Sequence, residues 1–559
     1  MKKGRMNVKR IRDIVLCVMV LVCSGILFSG AGYTSPVEVK CTNGVFRGVP
    51  EKETGVLSFK GIPYAKPPVG ERRWKAPVEP ELSNEHFDAT EFGKACLQSE
   101  STEEVWGNPM GEDCLSLNIW TSDIETGNKP VMVWIHGGSY GWGGTNDKTY
   151  DGEYLVSKYG DLIVVTINYR VNLMGFIDFS NIPGGEDFPD APYLGILDQK
   201  MALRWVRKNI AAFGGDPDNV TIFGESAGGG SVVSQLASNG SEKLFKKAIV
   251  QSGAGLNHSK AKYDDKNQAG ELLKAAGVSD MAGLMALSEE ELFKAMNVKT
   301  EIVGDENGSR VTDLNNFPMR DDKLSIIPFD VSKAIVERSG DVDVMIGTTG
   351  DEMRYWVDEM GVANDTEVIN DDRNIRVFYD FIRGKFDAYK NRFPSEAEKI
   401  NKALRISHSF DDSKYAKMYP GIWQYTDIAS EVSFRTPTLK IVDDRIKAGG
   451  KGKTYVYLFN KRATNREWVG ACHACELSYV FHNLVHSSFG DTDPGLAADV
   501  SAAWVAFART GNPSTEKIYW PEYNLDTRPT MVMGNDCTMK AVNDPEGEIR
   551  ELLKNVLIF

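Results

Sequence analysis

Gly214–Ser234 reads GGDPDNVTIFGESAGGGSVVS, and the rest of the chain is best read outward from it. Its opening run, Gly214-Gly215-Asp216-Pro217-Asp218, has the turn chemistry that breaks a preceding helix. Val220-Thr221-Ile222-Phe223 is β-branched and aromatic, the composition of a short strand. Gly224-Glu225-Ser226-Ala227-Gly228 follows and passes into small residues that can begin a helix. Strand, Gly-x-Ser-x-Gly and helix in that order describe a nucleophile elbow, a turn sharp enough to lift the Ser226 hydroxyl clear of a sheet. Only residues without bulky side chains fit at the flanking positions, hence Gly224 and Gly228. A bare Gly-x-Ser-x-Gly recurs by chance in many chains as an ordinary loop. The strand before it and the helix after it carry the catalytic reading here.

On either side the chain alternates strand and helix. Lys129–Gly138, KPVMVWIHGG, is a buried-type strand ending in a glycine turn, and Leu162–Tyr169, LIVVTINY, is a second fully apolar strand. Such runs suit a parallel sheet covered on both faces. Gly195–Phe213 carries Met201, Trp205, Val206, Ile210 and Phe213 at helical spacing. Ala248–Gln251 and Val342–Gly347 read as further central strands. Residues 256–335 and 357–450 are charged and helical and read as insertions above the sheet. No repeat, low-complexity run or long linker divides the chain. The expected class is α/β, with a large, mostly parallel central sheet.

At 559 residues and 42% hydrophobic content, a large core can be buried. A net charge of −14 argues against nucleic acid or an anionic membrane surface as partner. Lys2, Lys3, Arg5, Lys9, Arg10 and Arg12 form a basic start before the apolar stretch Ile14–Phe28, and Ser29-Gly30-Ala31 offers small residues for cleavage. Residues 1–31 therefore read as a secretory signal peptide, leaving 36–559 as the folded domain. An uncleaved membrane anchor is the alternative, although the apolar stretch is shorter than the ~20 residues a span needs. The lipoprotein reading that Cys23 invites is discounted, because Val22 before it is too large. Six cysteines stay after cleavage: Cys41, Cys96, Cys114, Cys472, Cys475 and Cys537. Export permits disulfides, and Cys96 with Cys114, enclosing a polar segment, is the first pair to expect.

The motifs FKGIPYAKPPVGERRW (Phe59–Trp74), EDCLSLNIW (Glu112–Trp120), WIHGGSYGWG (Trp134–Gly143), GESAG, GTTGDE (Gly347–Glu352) and GACHACELSYVF (Gly470–Phe481) occur in this order. Together with NYRVNLMGF, LDQKMALRWVRKNIAAFGGDP and WVAFARTGNPS they resemble the type-B carboxylesterase and cholinesterase family of α/β-hydrolases, from about residue 36 to the C-terminus. The resemblance implies ester hydrolysis by a Ser-His-Glu triad, with a substrate gorge built by the helical insertions. No metal or organic cofactor is implied, and the partner is a small-molecule ester.

Acyl transfer needs a base beside the nucleophile, because a serine hydroxyl is a poor nucleophile near neutral pH. Among the seven histidines, His473 in GACHACEL matches the catalytic position, and His136 is read as orienting its own glycine turn. His482 and His486 read as packing or surface residues. The base needs a carboxylate, and the chain order Ser, acid, His admits Glu352 and its neighbour Asp351; the resemblance favours Glu352. One ionisation of His473 near neutrality is then expected to govern kcat/KM. By resemblance the oxyanion hole is made by the amides of Gly138, Ser139 and Ala227. Glu225 and Ser252 match supporting positions near the histidine; the plain alternative is helix-start and strand-end polarity. Trp106 lies in the segment a Cys96–Cys114 bridge would close. In the cholinesterase branch a tryptophan of that loop faces the cationic alcohol, but the spacing differs here and ordinary packing competes. Cys472 and Cys475, flanking His473, are either free thiols or a small disulfide fixing its loop. Two other functions stay open: an amidase or peptidase on the same scaffold, and a non-catalytic binding module, against which the retention of Ser226 and His473 speaks.

Overall fold

Alternate residues along the central strands face two different cores, and this organises the molecule. In β5 (Lys129–Ile135), Val131, Val133 and Ile135 enter one apolar cluster while Met132 and Trp134 enter the other. In β7 (Gly215–Glu225), Val220 and Ile222 separate from Phe223 in the same way. A strand buried on both faces must be apolar at every position, which is why these segments lack polar alternation. The computed structural model describes residues 35–98, 109–241, 243–255, 267–300, 309–310, 318, 328, 330–356, 372–407, 419–465, 469–490 and 493–556.

A 13-stranded sheet runs through the molecule. Its N-terminal edge is an antiparallel group: β1 (Val37–Cys41), β2 (Asn43–Pro50), β3 (Leu57–Pro63) and β4 (Ser116–Thr121), with Ser83–Asp88 pairing off β2. β4 then meets β6 (Ile163–Ile167) antiparallel. From β6 the order continues through β5, β7, β8 (Lys247–Gln251), β9 (Asp343–Thr349), β10 (Thr454–Phe459) and β11 (Pro529–Met533), every neighbouring pair parallel. β12 (Met539–Asn543) closes the far edge antiparallel. All the parallel strands therefore end on one side of the sheet, where a crevice can form.

Helices cover both faces. On one lie α1 (Leu194–Asn209), α2 (Ala227–Ala237), α3 (Val331–Ser339) and α4 (Thr436–Lys447), contributing Trp205, Val232, Ile335 and Val442. On the other, α5 (Pro494–Thr510) contributes Val500, Trp504 and Phe507. The helix expected over Gly195–Phe213 is α1, with its last turn tightened to 3₁₀ over Ile210–Phe213.

Two expectations change. β7 begins at Gly215 and not at Val220, with a register irregularity between the two, so Gly214-Gly215 turns the chain directly into the strand. The segments 256–335 and 357–450 are not wholly insertions: each closes with a helix, α3 and α4, that packs on the sheet. Leu439, Val442 and Ile446 form an apolar stripe along α4, and that stripe commits it to the core. The other helices of these segments bury separate clusters, one holding Leu272, Leu284 and Leu292, the other Phe378, Ile400 and Trp423.

Candidate active site

Ser226 immediately follows β7 and immediately precedes α2, at φ 55° and ψ −125°. Its N–H donates to the Gln251 carbonyl at 2.9 Å, tying the elbow to the end of β8. The turn is so tight that a Cβ on Gly228 would come 2.0 Å from the Ile135 carbonyl oxygen. Glycine is therefore obligatory there. Three residues past β5, Gly138 has φ 101°, and a Cβ on it would lie 2.1 Å from the Trp142 carbonyl oxygen. Ser139 follows at φ 52°. Ala227 opens α2, so its N–H belongs to the first helical turn and lacks an intrahelical acceptor. Gly137, Gly138, Ser139, Ser226 and His473 line one cavity of about 280 Å³ among the described residues.

Glu352 lies three residues beyond β9, fully buried, and accepts from Nδ1 of His473 at 2.5 Å. Its other oxygen accepts the Thr349 N–H at 2.8 Å, which fixes the carboxylate. Asp351, the competitor, turns away from the imidazole: it accepts the Ala471 N–H at 2.8 Å and pairs with Arg354 at 3.0 Å. It anchors the loop that carries His473. Nε2 of His473 stands 3.0 Å from Oε1 of Glu225 and has no hydrogen bond among the described residues. Burial alone would depress the His473 pKa, but the charges of Glu225 and Glu352 and the hydrogen bond to Glu352 outweigh it and carry it up to about 9. Burial pushes Glu225 up to about 8. The base thus titrates above the near-neutral range expected from sequence, because it sits among buried carboxylates.

The supporting residues divide. Glu225 reaches the imidazole. Ser252 is fully buried at φ 49°, and its N–H donates to the Gly347 carbonyl at 2.9 Å, but its hydroxyl meets no partner among the described residues. Trp106 lies outside the described residues. His136 is buried against Tyr169, rings 4.4 Å apart, with Nδ1 2.9 Å from the Gly137 carbonyl oxygen. Burial lowers its pKa to about 4, so it stays a neutral support of the glycine turn. His482 sits beside Lys158, its Nε2 2.9 Å from Nζ. Cys96 and Cys114 form a disulfide, whereas Cys472 and Cys475 are buried thiols not joined in one.

Other contributors were not foreseen. Glu476, three residues after His473, is fully buried, accepts from Gln251 at 3.0 Å and is pushed up to about 7 by burial. Its helical spacing from His473 within GACHACEL was the available signal. Around the imidazole stand the rings of Tyr355, Trp356 and Phe434, with centroids at 5.8, 5.0 and 5.1 Å. Tyr355 and Trp356 follow directly on the Glu352 turn. Phe434 is presented by a π-helical turn, Glu431–Arg435, and nothing in the local sequence announces one.

A parallel sheet covered on both faces, with a strained serine at the strand-to-helix turn and a buried acid–imidazole pair on the segments that follow two neighbouring strands, defines an α/β-hydrolase. The chain belongs to the carboxylesterase family, whose model matches residues 35–548. It is 35% identical over 514 residues to para-nitrobenzyl esterase of Bacillus subtilis (strain 168), covering 90% of this chain and 95% of that protein. It is 31% identical to an acetylcholinesterase of Bungarus fasciatus, covering 94% and 86% of the two chains. Among solved structures, a Geobacillus stearothermophilus carboxylesterase superimposes with TM-score 0.75 at 30% identity, covering 92% of this chain and 99% of that one. The chain is a serine carboxylic-ester hydrolase.

Proposed function

We propose that Ser226, His473 and Glu352 form the triad of this hydrolase, working through an acyl-enzyme. The observation that carries the reading is the Glu352–His473 hydrogen bond, held at the edge of the cavity that Ser226 also lines. With Nδ1–H donated to Glu352, Nε2 is the nitrogen left to accept the Ser226 proton. Oγ attacks the ester carbonyl carbon, and the carbonyl oxygen becomes an anion received by the amides of Gly138, Ser139 and Ala227. The intermediate collapses, the C–O bond to the alcohol breaks, and His473 returns the proton to the departing alkoxide. A water, deprotonated by His473, then attacks the acyl carbon, and the acid leaves as Ser226 regains its proton. Glu225, its Oε1 3.0 Å from Nε2, lies beside the imidazolium that forms.

Export through residues 1–31 belongs to the same reading, with an N-terminal membrane anchor as the alternative. It is supported by the basic start and short apolar stretch, and by the Cys96–Cys114 disulfide, which suits an oxidising compartment. The N-terminal residue of the protein recovered from culture medium decides between the two. For the chemistry, Ser226→Ala is expected to lower kcat on 4-nitrophenyl esters by up to about a million-fold with an unchanged melting temperature. A fluorophosphonate probe labels the wild type and not the variant. Retention of a tenth of the turnover would reassign the nucleophile.

A further inference from the structure

The turn that carries Glu352 also carries a buried arginine that the triad does not employ. Arg354 closes the 3₁₀ turn Glu352–Arg354, and its side chain is only 3% exposed. It is not among the described residues that line the catalytic cavity. A guanidinium taken out of water has to be met by opposite charge, because a buried ion without partners is costly. Two carboxylates meet it. Nη2 of Arg354 stands 3.0 Å from Oδ1 of Asp351 and donates to Oδ1 of Asp427 at 3.2 Å. The guanidinium also lies 4.7 Å from the ring centre of Trp423, whose face attracts a cation.

The two carboxylates lead in opposite directions. Oδ2 of Asp351 accepts the Ala471 N–H at 2.8 Å, and the Asp351 N–H donates to the Ala471 carbonyl at 2.8 Å. One residue thus grips the catalytic loop two positions before His473. Gly470, at φ 66°, is packed so closely that a Cβ on it would come 2.3 Å from the same Oδ2. Asp427 belongs to the helix Ile422–Ser430, and its Oδ2 accepts from the Ser407 hydroxyl at 2.8 Å, just past the helix Pro394–Ile406. Arg354 therefore ties the loop of the base to the helical segment beside it. Asp351 and Asp427 both line a second cavity of about 520 Å³, so each has room to turn aside once the guanidinium is removed.

We propose that Arg354 is a positioning residue of this hydrolase: by holding the Asp351 carboxylate it fixes the loop that presents His473 to Ser226. It acts through Asp351. The inference rests on the triad reading above and adds to it the group that sets the loop. A lysine ammonium at this position restores the charge without the planar fork that a guanidinium offers to two carboxylates.

A double-mutant cycle on the full-length enzyme tests this, read as kcat and KM on 4-nitrophenyl butanoate beside the melting temperature. Arg354→Gln should lower kcat about tenfold, the scale of a small misplacement of a catalytic group, with KM changed less than about twofold because Arg354 stands outside the cavity lining. In Asp351→Ala, which lacks the carboxylate through which Arg354 acts, the same change should cost less than about twofold. Arg354→Lys, which keeps the charge, should lose only about threefold. Wild-type kcat in Arg354→Gln, even with a lowered melting temperature, would overturn the proposal, as would an equal loss in both backgrounds. Should Arg354→Gln fail to fold, Arg354→Lys replaces it in the cycle, and the same two outcomes would overturn the proposal. Ser226→Ala tests the underlying reading separately. Activity there would remove the triad, whereas an inert Ser226→Ala beside a fully active Arg354→Gln would remove only the role of Arg354.

Discussion

On the floor of the cavity, Gly138 and Ser226 sit one to three residues past the ends of parallel strands, with Glu352, three residues past β9, bonded to His473 behind it, whereas Asp147, Trp356 and Phe434 on and behind the walls ride on short turns. The floor is located by backbone: β5, β7, β8 and β9 are in register, and each strand end fixes the next residue's position. Around it, Trp356 stacks on Phe434 at 5.8 Å, and both lean on His473. Hydrogen-bonded strands tolerate little displacement, while packed rings on 3₁₀ and π turns can repack. The proposed triad thus draws on the rigid part, and the cavity walls on the part able to change.

The contrast can be broken most directly at Glu352. Glu352→Gln keeps the side-chain shape but removes the charge that selects the Nδ1–H tautomer of His473, so kcat should fall by about 10⁴-fold. A loss below tenfold in single-turnover assays would show that the imidazole is held by its aromatic surroundings instead. Next in size is Phe434→Ala, which empties a buried position against His473 and Trp356. It should cost kcat about tenfold through loss of alignment, and it should also lower the melting temperature, as large-to-small core changes do. If kcat is unchanged while melting falls, Phe434 is packing alone.

The smallest expected effect sharpens the comparison within the floor itself. His473 must be neutral to take a proton, and its pKa is raised to about 9, so kcat/KM should climb with pH from neutrality through that value. Glu225→Gln removes one of the three carboxylate charges that raise it, and the acidic limb should move down by about one pH unit. A limb that stays in place would assign the shift to Glu352 and Glu476. Because Glu225 and His473 titrate as a coupled pair, the profile reports the pair.

How much of this was legible follows the same division. Ser226 could be named because an elbow demands particular residues at particular offsets from an apolar run, and Glu352 and His473 because GTTGDE and GACHACEL resemble family motifs. Gly138 could be named by the resemblance of WIHGGSYGWG, and its φ and the close Trp142 carbonyl give the physical reason that no side chain fits there. The Glu225–His473 approach and the raised imidazole pKa could not, since they arise where three buried carboxylates from separate segments converge. Phe434 was hidden because a π turn leaves no periodic trace, and Asp147 because one aspartate in TNDKTY looks like any polar loop. The α4 stripe was present in the sequence but lay within a charged segment that obscured it.

The elbow is complete by Gly230, yet its proposed base lies at 473, beyond β10. The sheet order puts β5, β7 and β8 side by side and adds β9 and then β10 outward. Long-range parallel pairings of this kind form slowly, since much chain must be ordered before they contribute. A chain still being synthesised, or only partly refolded, therefore carries an exposed serine with no base to activate it and is chemically silent. Return of esterase activity after denaturation would time the docking of β10 and the 470–476 turn, not the collapse of the core around the nucleophile.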